Sequence, residues 1–155
     1  MAYRLVVLSD IHHDIDKVRT IIPIINSSDY LVFCGDGING LMSIRGEITV
    51  PMVCAKGNND WYSNVSELST FSIGTTRALV THGHRQDVRR GVSGLIAAAQ
   101  LNACKLVFFG HTHSRYDAVR DGIHIINPGA ISGYGSYAVV TGDGERFTCR
   151  HNFVK

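Results

Sequence analysis

Short apolar runs separated by polar, glycine-containing segments make up most of the chain. The runs at 4–8 and 30–34 predict strands that are buried on both faces. Between them, residues 15–26 repeat valine and isoleucine at helical steps of three and four, and Pro23 within this stretch predicts a kink or an early end. Strand, helix and strand in about thirty residues predict a βαβ unit with two parallel strands.

Similar patterns continue along the rest of the chain. Apolar runs predict strands at 49–55, 77–81 and 105–109, with a short helix at 63–69 and a longer one at 87–103. The last part predicts hairpin-connected antiparallel strands at 116–120, 123–126, 137–141 and 146–152. The pattern indicates an α/β fold in one domain over residues 1–155, with the parallel half first and the antiparallel half last.

Composition narrows the class of protein. The 155 residues are 45% hydrophobic and 18% charged, which is enough apolar material for a core. No apolar run is long enough for a membrane helix, and the amino-terminal run is too short for a secretory signal. A net charge of +2 without a Lys/Arg-rich run gives no strong signal for nucleic acid. Four widely spaced cysteines without a Cys-x-x-Cys pattern predict reduced thiols in a cytoplasmic protein.

Chemistry-bearing residues follow five of the predicted strands, in short glycine-containing loops. Because parallel strands end at the same edge of a sheet, we expect these loops to meet in space. The loops are Asp10-Ile11-His12, Gly35-Asp36, Gly57-Asn58-Asn59-Asp60, His82-Gly83-His84 and Gly110-His111-Thr112-His113. Carboxylate, amide oxygen and imidazole together suit Mn, Fe, Co, Ni or Zn. Seven or eight such groups are too many for one ion, so they predict two ions about 3.5 to 4 Å apart.

Each of these residues also has an ordinary structural explanation when it is taken alone. Asp10 can cap the helix that follows it, and Asp36 can simply occupy a turn. His13 and His84 either touch substrate or are solvated neighbours of the ligands, and Arg85 contacts a phosphate or belongs to the polar face of a helix start. Chance does not explain why every strand-end loop carries a ligand type, so the joint pattern predicts a metal site.

The five blocks, in this order, resemble the calcineurin-like metallophosphoesterases, whose pattern is D-x-H, G-D, G-N-H-[DE], H and G-H-x-H. The resemblance covers Ser9 to His113, and Asn127-Pro128-Gly129 is also similar to the small YfcE-type phosphodiesterase branch of that family. It implies a two-sheet β-sandwich flanked by helices, arranged as four αββα layers. It also implies hydrolysis of a small phosphodiester by a hydroxide that bridges two divalent ions, with Mn favoured and Ni, Fe, Co or Zn accepted.

The resemblance also implies roles for individual residues. The first ion would be held by Asp10, His12 and His113, and the second by Asn58, His82 and His111. Asp36 would bridge the two ions and, with Asn59 and His82, would form the catalytic group. Substrate contacts are expected from His13, His84 and Arg85.

Asn59 departs from the family pattern. Many members have a histidine there, placed to stabilise or protonate the leaving group, and an amide cannot act as a general acid. Relatives in the phosphodiesterase branch also lack that histidine. One alternative function is a protein-binding module on the same scaffold, as in the retromer subunit that resembles this family, and another is a phosphomonoesterase. Relatives often associate, so a homo-oligomer is a further expectation.

Overall fold

The computed structural model describes residues 2–155. These residues form ten strands, which make up two mixed sheets, and four α-helices. The strands are β1 Tyr3–Leu8, β2 Tyr30–Phe33, β3 Met52–Cys54, β4 Leu68–Ile73, β5 Thr76–Thr81, β6 Leu106–Phe108, β7 Tyr116–Arg120, β8 Ile123–Asn127, β9 Ser136–Gly142 and β10 Phe147–Phe153. The helices are α1 Ile15–Thr20, α2 Ile22–Asn26, α3 Ile38–Ser43 and α4 Ser93–Leu101. Short 3₁₀ turns cover Arg45–Glu47, His84–Gln86 and Val88–Arg90.

Each sheet has three adjacent parallel strands and two antiparallel strands. The first sheet has the order β10-β9-β1-β2-β3 and the second has the order β4-β5-β6-β8-β7. Strands β1, β2 and β3 are parallel, as are β5, β6 and β8. The expectation of a parallel half followed by an antiparallel half is therefore wrong. Strand β9 returns to pair antiparallel with β1, and β8 joins β6 in parallel, so late strands complete both sheets.

The core lies in three apolar layers, which gives the four-layer arrangement expected from the sequence. Alternate residues of β1 show how the layers are filled. Leu5 and Val7 face the second sheet, whereas Val6 and Leu8 pack under α1, α2 and α3. On the far side, Leu95 and Ala99 of α4 cover the outer face of β5, β6 and β8. Burial of both faces explains why the central strands read as continuous apolar runs.

Several helices differ from their predicted bounds. The predicted helix at 15–26 divides at Ile21, and Pro23 occupies the first turn of α2, which confirms the expected break. The predicted helix at 63–69 is wrong, because β4 begins at Leu68 and pairs antiparallel with β5. The helix predicted at 87–103 begins only at Ser93, since Gly91 has a φ of 136° that no helix accommodates. Helix α3 was not predicted.

Within residues 2–155, no helix is both long enough and apolar enough to span a lipid bilayer. The four cysteines are free thiols.

Candidate metal centre

The loops that follow β1, β2 and β6 adopt unusual backbone conformations at the predicted ligands. Five of these residues have a positive φ, between 50° and 71°, a region that side chains other than glycine rarely enter. They are Asp10, His12, Asp36, His111 and His113. Backbone hydrogen bonds hold the strained loops together, from the Asp10 amide to the Gly35 carbonyl and from the His12 amide to the Asp36 carbonyl. Such strain is typical of functional sites.

A first group of ligand atoms comes from Asp10, His12 and His113. His113 Nε2 lies 3.2 Å from Asp10 Oδ1, and His12 Nε2 lies 3.4 Å from His113 Nε2 and 3.9 Å from Asp10 Oδ1. Donor atoms about 2.1 Å from one transition-metal ion are separated by roughly 3 to 3.4 Å, so two of the three distances suit a single ion and the 3.9 Å distance is longer. Residues that are 103 positions apart in the chain are thereby brought to one point.

A second group joins Asp10, Asp36 and His82, all of which are buried. His82 Nε2 lies 3.3 Å from Asp36 Oδ2 and 3.9 Å from Asp10 Oδ1. His111 approaches the same point, with its Nδ1 3.1 Å from His82 Nε2. Asp10 therefore belongs to both groups, whereas the resemblance implied Asp36 as the shared carboxylate.

Asp10 provides the clearest sign that a cation belongs here. Its Oδ2 accepts hydrogen bonds from Ser9 Oγ at 2.5 Å and from the His111 amide at 3.1 Å. Its Oδ1 is buried and accepts no hydrogen bond within residues 2–155. A buried carboxylate oxygen without a donor is costly unless a positive charge compensates it. The oxygen points between His113 and His82, and both groups fit a divalent ion with oxygen and nitrogen ligands.

The pKa values of the ionisable side chains at the second group depend on burial and on neighbouring charged and polar groups. Burial alone would raise the pKa of the Asp36 carboxyl, but contacts with His82 and Asn59 hold that pKa well below its usual range. Burial alone would lower the pKa of His82, but Asp36 and Asp10 raise it above its ordinary value. The pKa of His111 is lowered by burial and by the neighbouring His82 and Arg89. These contacts therefore favour the ionised form of Asp36 and the neutral form of His111.

Comparison with known proteins agrees with this geometry. The family model of the calcineurin-like phosphoesterase superfamily domain matches residues 3–145. The chain belongs to this superfamily. A phosphodiesterase of Methanocaldococcus jannaschii is 27% identical to this phosphoesterase over 145 residues, covering 83% of this chain and 84% of the relative.

Solved structures share the fold of this chain. A predicted phosphoesterase of Streptococcus pneumoniae superposes with a TM-score of 0.85 at 25% identity, covering 99% of this chain and 90% of the other. Vps29 of Entamoeba histolytica, crystallised with Zn²⁺, superposes with a TM-score of 0.78 at 16% identity and covers 98% and 99% of the two chains. At that identity the likeness to Vps29 concerns the fold alone.

Asp60 fixes the loops that follow β2 and β3. Its buried carboxylate accepts four backbone N–H groups, from Asp36 and Gly57 at 2.8 Å, Gly37 at 2.9 Å and Ile38 at 3.1 Å. Gly57 is required beside it, because a Cβ there would lie 2.6 Å from the Asp36 nitrogen. Asp60 thus holds the backbone that carries Asp36.

The two adjacent asparagines are placed differently. Asn59 donates to both oxygens of Asp36, through its backbone N–H at 3.0 Å and its side-chain amide at 2.8 Å. Asn58 has an exposed side chain, and its recorded hydrogen bond uses its backbone carbonyl, which accepts from Trp61 Nε1. The structure therefore brings Asn59 into contact with the cluster and leaves the predicted ligand role of Asn58 as a prediction.

The predicted substrate residues occupy two different places. His13 lines a cleft of about 650 Å³ together with His12, Asp36, Asn39 and Asn59. The side chains of His84 and Arg85 instead contact Glu67, at 3.2 Å and 2.8 Å. The His84 ring lies 5.5 Å from the His82 ring, and burial beside His82 lowers the pKa of His84. His84 therefore borders the cluster, whereas the recorded contacts of Arg85 are with Glu67.

Three residues that support the site were not singled out from the sequence. They are Ser9, Glu67 and Arg89, and Arg89 Nε lies 3.1 Å from His111 Nε2. Asn127, noted only as part of the resemblance, is fully buried and donates to the Gly110 carbonyl and to Thr112 Oγ1. Ser9 directly precedes a ligand, which was a usable signal. Glu67 and Arg89 lie in segments whose structure was predicted incorrectly.

Replacement of Asp60 tests its role in holding the backbone. Asp60→Ala leaves four backbone N–H groups without an acceptor, so we expect the free energy of unfolding to fall by about 3 kcal/mol or more. Urea denaturation of the metal-free protein measures this loss. Asp16→Ala removes an exposed carboxylate from α1 and should cost about 0.5 kcal/mol or less. Equal losses in the two variants would contradict the role assigned to Asp60.

Replacement of Asp10 tests whether its buried oxygen is meant for a cation. Asp10→Asn removes an uncompensated charge, so the metal-free variant should be at least as stable as the wild type. Saturating Mn²⁺ or Zn²⁺ should raise the Tm of the wild type by about 5 °C or more and should leave that of Asp10→Asn nearly unchanged. Thermal unfolding after chelator dialysis measures both effects.

Asp121→Asn is the matched control for the Asp10 experiment. Asp121 also has a left-handed backbone, with a φ of 53° against 55° for Asp10, but it is exposed in the β7–β8 turn. We expect this variant to keep the full metal-dependent rise in Tm. The same rise in Asp10→Asn would show that ions bind elsewhere.

Proposed function

We propose that this phosphoesterase is a single-domain cytoplasmic phosphodiesterase that uses two divalent transition-metal ions to hydrolyse a small phosphodiester. The observation that carries the proposal is the buried, unpartnered Oδ1 of Asp10, which belongs to both groups of ligand atoms. Two donor groups that share a carboxylate match the arrangement by which enzymes clamp both oxygens of a displacement at phosphorus. Family membership and the phosphodiesterase among the relatives support the choice of reaction.

The proposed ligands combine the two groups with the positions that the resemblance implied. The first ion is assigned to Asp10, His12 and His113, and the second to His82, His111 and Asn58, with Asp36 between them. Asn58 makes no side-chain hydrogen bond within residues 2–155, so its amide can turn toward an ion without breaking a contact. Mn²⁺ is the favoured ion, and Ni²⁺, Fe²⁺, Co²⁺ and Zn²⁺ suit the same mixed oxygen and nitrogen donors.

The chain's own residues would orient the metal-binding carboxylate and bind the substrate. When bound, the ions would supply Lewis-acid activation of the attacking water and stabilisation of charge on the phosphoryl oxygens. Asn59 donates to Asp36 and thereby fixes the carboxylate in one orientation. His13 and Asn39 line the cleft beside Asp36, where they can bind the ester group of a substrate. The cleft of about 650 Å³ suits a small diester.

A protein-binding module is the second candidate function. The fold is shared with Vps29, whose full name is vacuolar protein sorting 29. The five strained ligand positions and the orphaned Asp10 oxygen favour catalysis, because a surface used only for docking has no need of either. We also propose that the chain associates with copies of itself. The proposed activity does not depend on this association.

Hydrolysis assays test the proposed reaction. Protein stripped of metal and reloaded with Mn²⁺, Ni²⁺ or Zn²⁺ should hydrolyse bis-p-nitrophenyl phosphate faster than p-nitrophenyl phosphate. Asp36→Ala removes a ligand and should reduce turnover of the diester by about 100-fold or more, whereas Asp16→Ala should not change it. A folded protein that hydrolyses neither ester with any of these ions would favour the binding module.

Replacement of Asn59 tests why a diester is preferred. Asn59→His introduces a group that can protonate a leaving oxygen, so the ratio of monoester to diester hydrolysis should rise by about tenfold or more. A monoester with a poor, alkyl leaving group gives the sharpest comparison, with Mn²⁺ as the ion. Asn59→Gln keeps an amide that cannot act as an acid and should not raise the ratio. An unchanged ratio in Asn59→His would refute this explanation.

A further inference from the structure

Arg89 makes an unexpected contact with one of the proposed ligands. Its Nε donates to His111 Nε2 at 3.1 Å, although the two residues lie 22 positions apart. Its neighbours Arg85 and Arg90 pair with Glu67 and Asp87, whereas no carboxylate of residues 2–155 forms a salt bridge with Arg89. The contact with His111 is therefore the specific interaction that this guanidinium makes.

The fold determines where Arg89 lies. It occupies the middle of the 3₁₀ turn Val88–Arg90, whose first residue is buried in the apolar layer that α4 covers. Val88 packs so closely on Gly83 that a Cβ there would lie 2.8 Å from Val88 Cγ1. Because Val88 is anchored beside the loop that carries His82, Arg89 is held next to the metal centre.

Arg89 determines which nitrogen of His111 carries the proton. A guanidinium N–H can only donate, so His111 Nε2 must accept and the proton must lie on Nδ1. That Nδ1–H faces Nε2 of His82 at 3.1 Å and can donate to it when His82 is neutral. The other nitrogen of His82, Nδ1, donates to the Cys34 carbonyl at 2.7 Å. Three consecutive hydrogen bonds therefore run from Arg89 to the end of β2.

This arrangement opposes coordination by His111. The nitrogen that faces the cluster is Nδ1, and it must give up its proton to bind an ion. The proton would then lie on Nε2, where it would face the Arg89 N–H at hydrogen-bond distance. Metal-bound histidines usually donate their second N–H to a carboxylate, a carbonyl or water, and Arg89 offers none of these. His82 has the suitable partner in the Cys34 carbonyl.

We propose that Arg89 and the second divalent ion compete for His111, so that the first group of ligands fills before the second. The inference rests on the two-ion assignment of the proposed function. An ion that binds at His111 must displace Arg89, and this requirement weakens only the second site. His12 and His113 contact each other and Asp10, and no cationic side chain of residues 2–155 donates to either ring.

Titration calorimetry of the metal-free protein with Mn²⁺ tests the competition. The wild type should bind two ions with separate affinities. Arg89→Ala should tighten the weaker site about tenfold and leave the stronger one unchanged. Arg89→Gln should tighten the weaker site further, because the glutamine Oε1 can accept from His111 Nε2–H. Arg90→Ala is the matched control and should change neither affinity, since Arg90 pairs with Asp87 at the surface.

A second measurement identifies directly which nitrogen of His111 carries the proton. Nitrogen-15 NMR of the metal-free wild type at pH 8 should show the proton of His111 on Nδ1, and Arg89→Gln should move it to Nε2. Two binding sites whose affinities are the same in all variants would overturn the competition alone. Fewer than two ions bound, even by Arg89→Gln, would overturn the two-ion function and the competition together.

Discussion

The buried carboxylate of Asp10 is the constraint on which the rest of the centre depends. It follows β1 in the first sheet, and its Oδ2 accepts a hydrogen bond from the amide of His111, which follows β6 in the second sheet. One charged group thereby joins the two halves of the sandwich at the edge where their parallel strands end. The other oxygen is left without a donor. A bound cation would offset the cost of burying this unpaired oxygen, so the same carboxylate serves both the fold and the proposed chemistry.

Much of this arrangement could be predicted from the sequence, because it rests on local patterns. Apolar runs such as 4–8 identified strands buried on both faces, and the polar residues after them identified the edge where ligands meet. The segment at 63–69 was predicted incorrectly because its last two residues, Leu68 and Ser69, begin a strand that is defined by pairing with β5, a contact that the local sequence does not encode. Arg89 was missed for a similar reason, since the packing of the buried Val88 against Gly83 positions it, and the local sequence does not encode that contact.

Adjacent asparagines illustrate a finer limit of motif-based prediction. The family pattern assigns a ligand role to Asn58, which stays a prediction, while Asn59 donates to both oxygens of Asp36. Spacing along the chain shows which loop carries the two amides, but the contacts of each amide depend on the turn held by Asp60. The same turn separates the roles of carboxylates: Asp60 binds backbone amides, whereas Asp36 faces the histidines.

The left-handed backbone at five ligand positions has a consequence for the history of such a scaffold. A residue other than glycine held in that region costs on the order of 1 kcal/mol or more, so the five together consume a substantial share of a domain's stability of about 5–15 kcal/mol. A lineage that retained catalysis would have to tolerate this expense in every generation. A descendant that had lost catalysis could regain this stability by substituting glycine at those positions. Glycines at the five positions would then mark the loss of activity in its sequence.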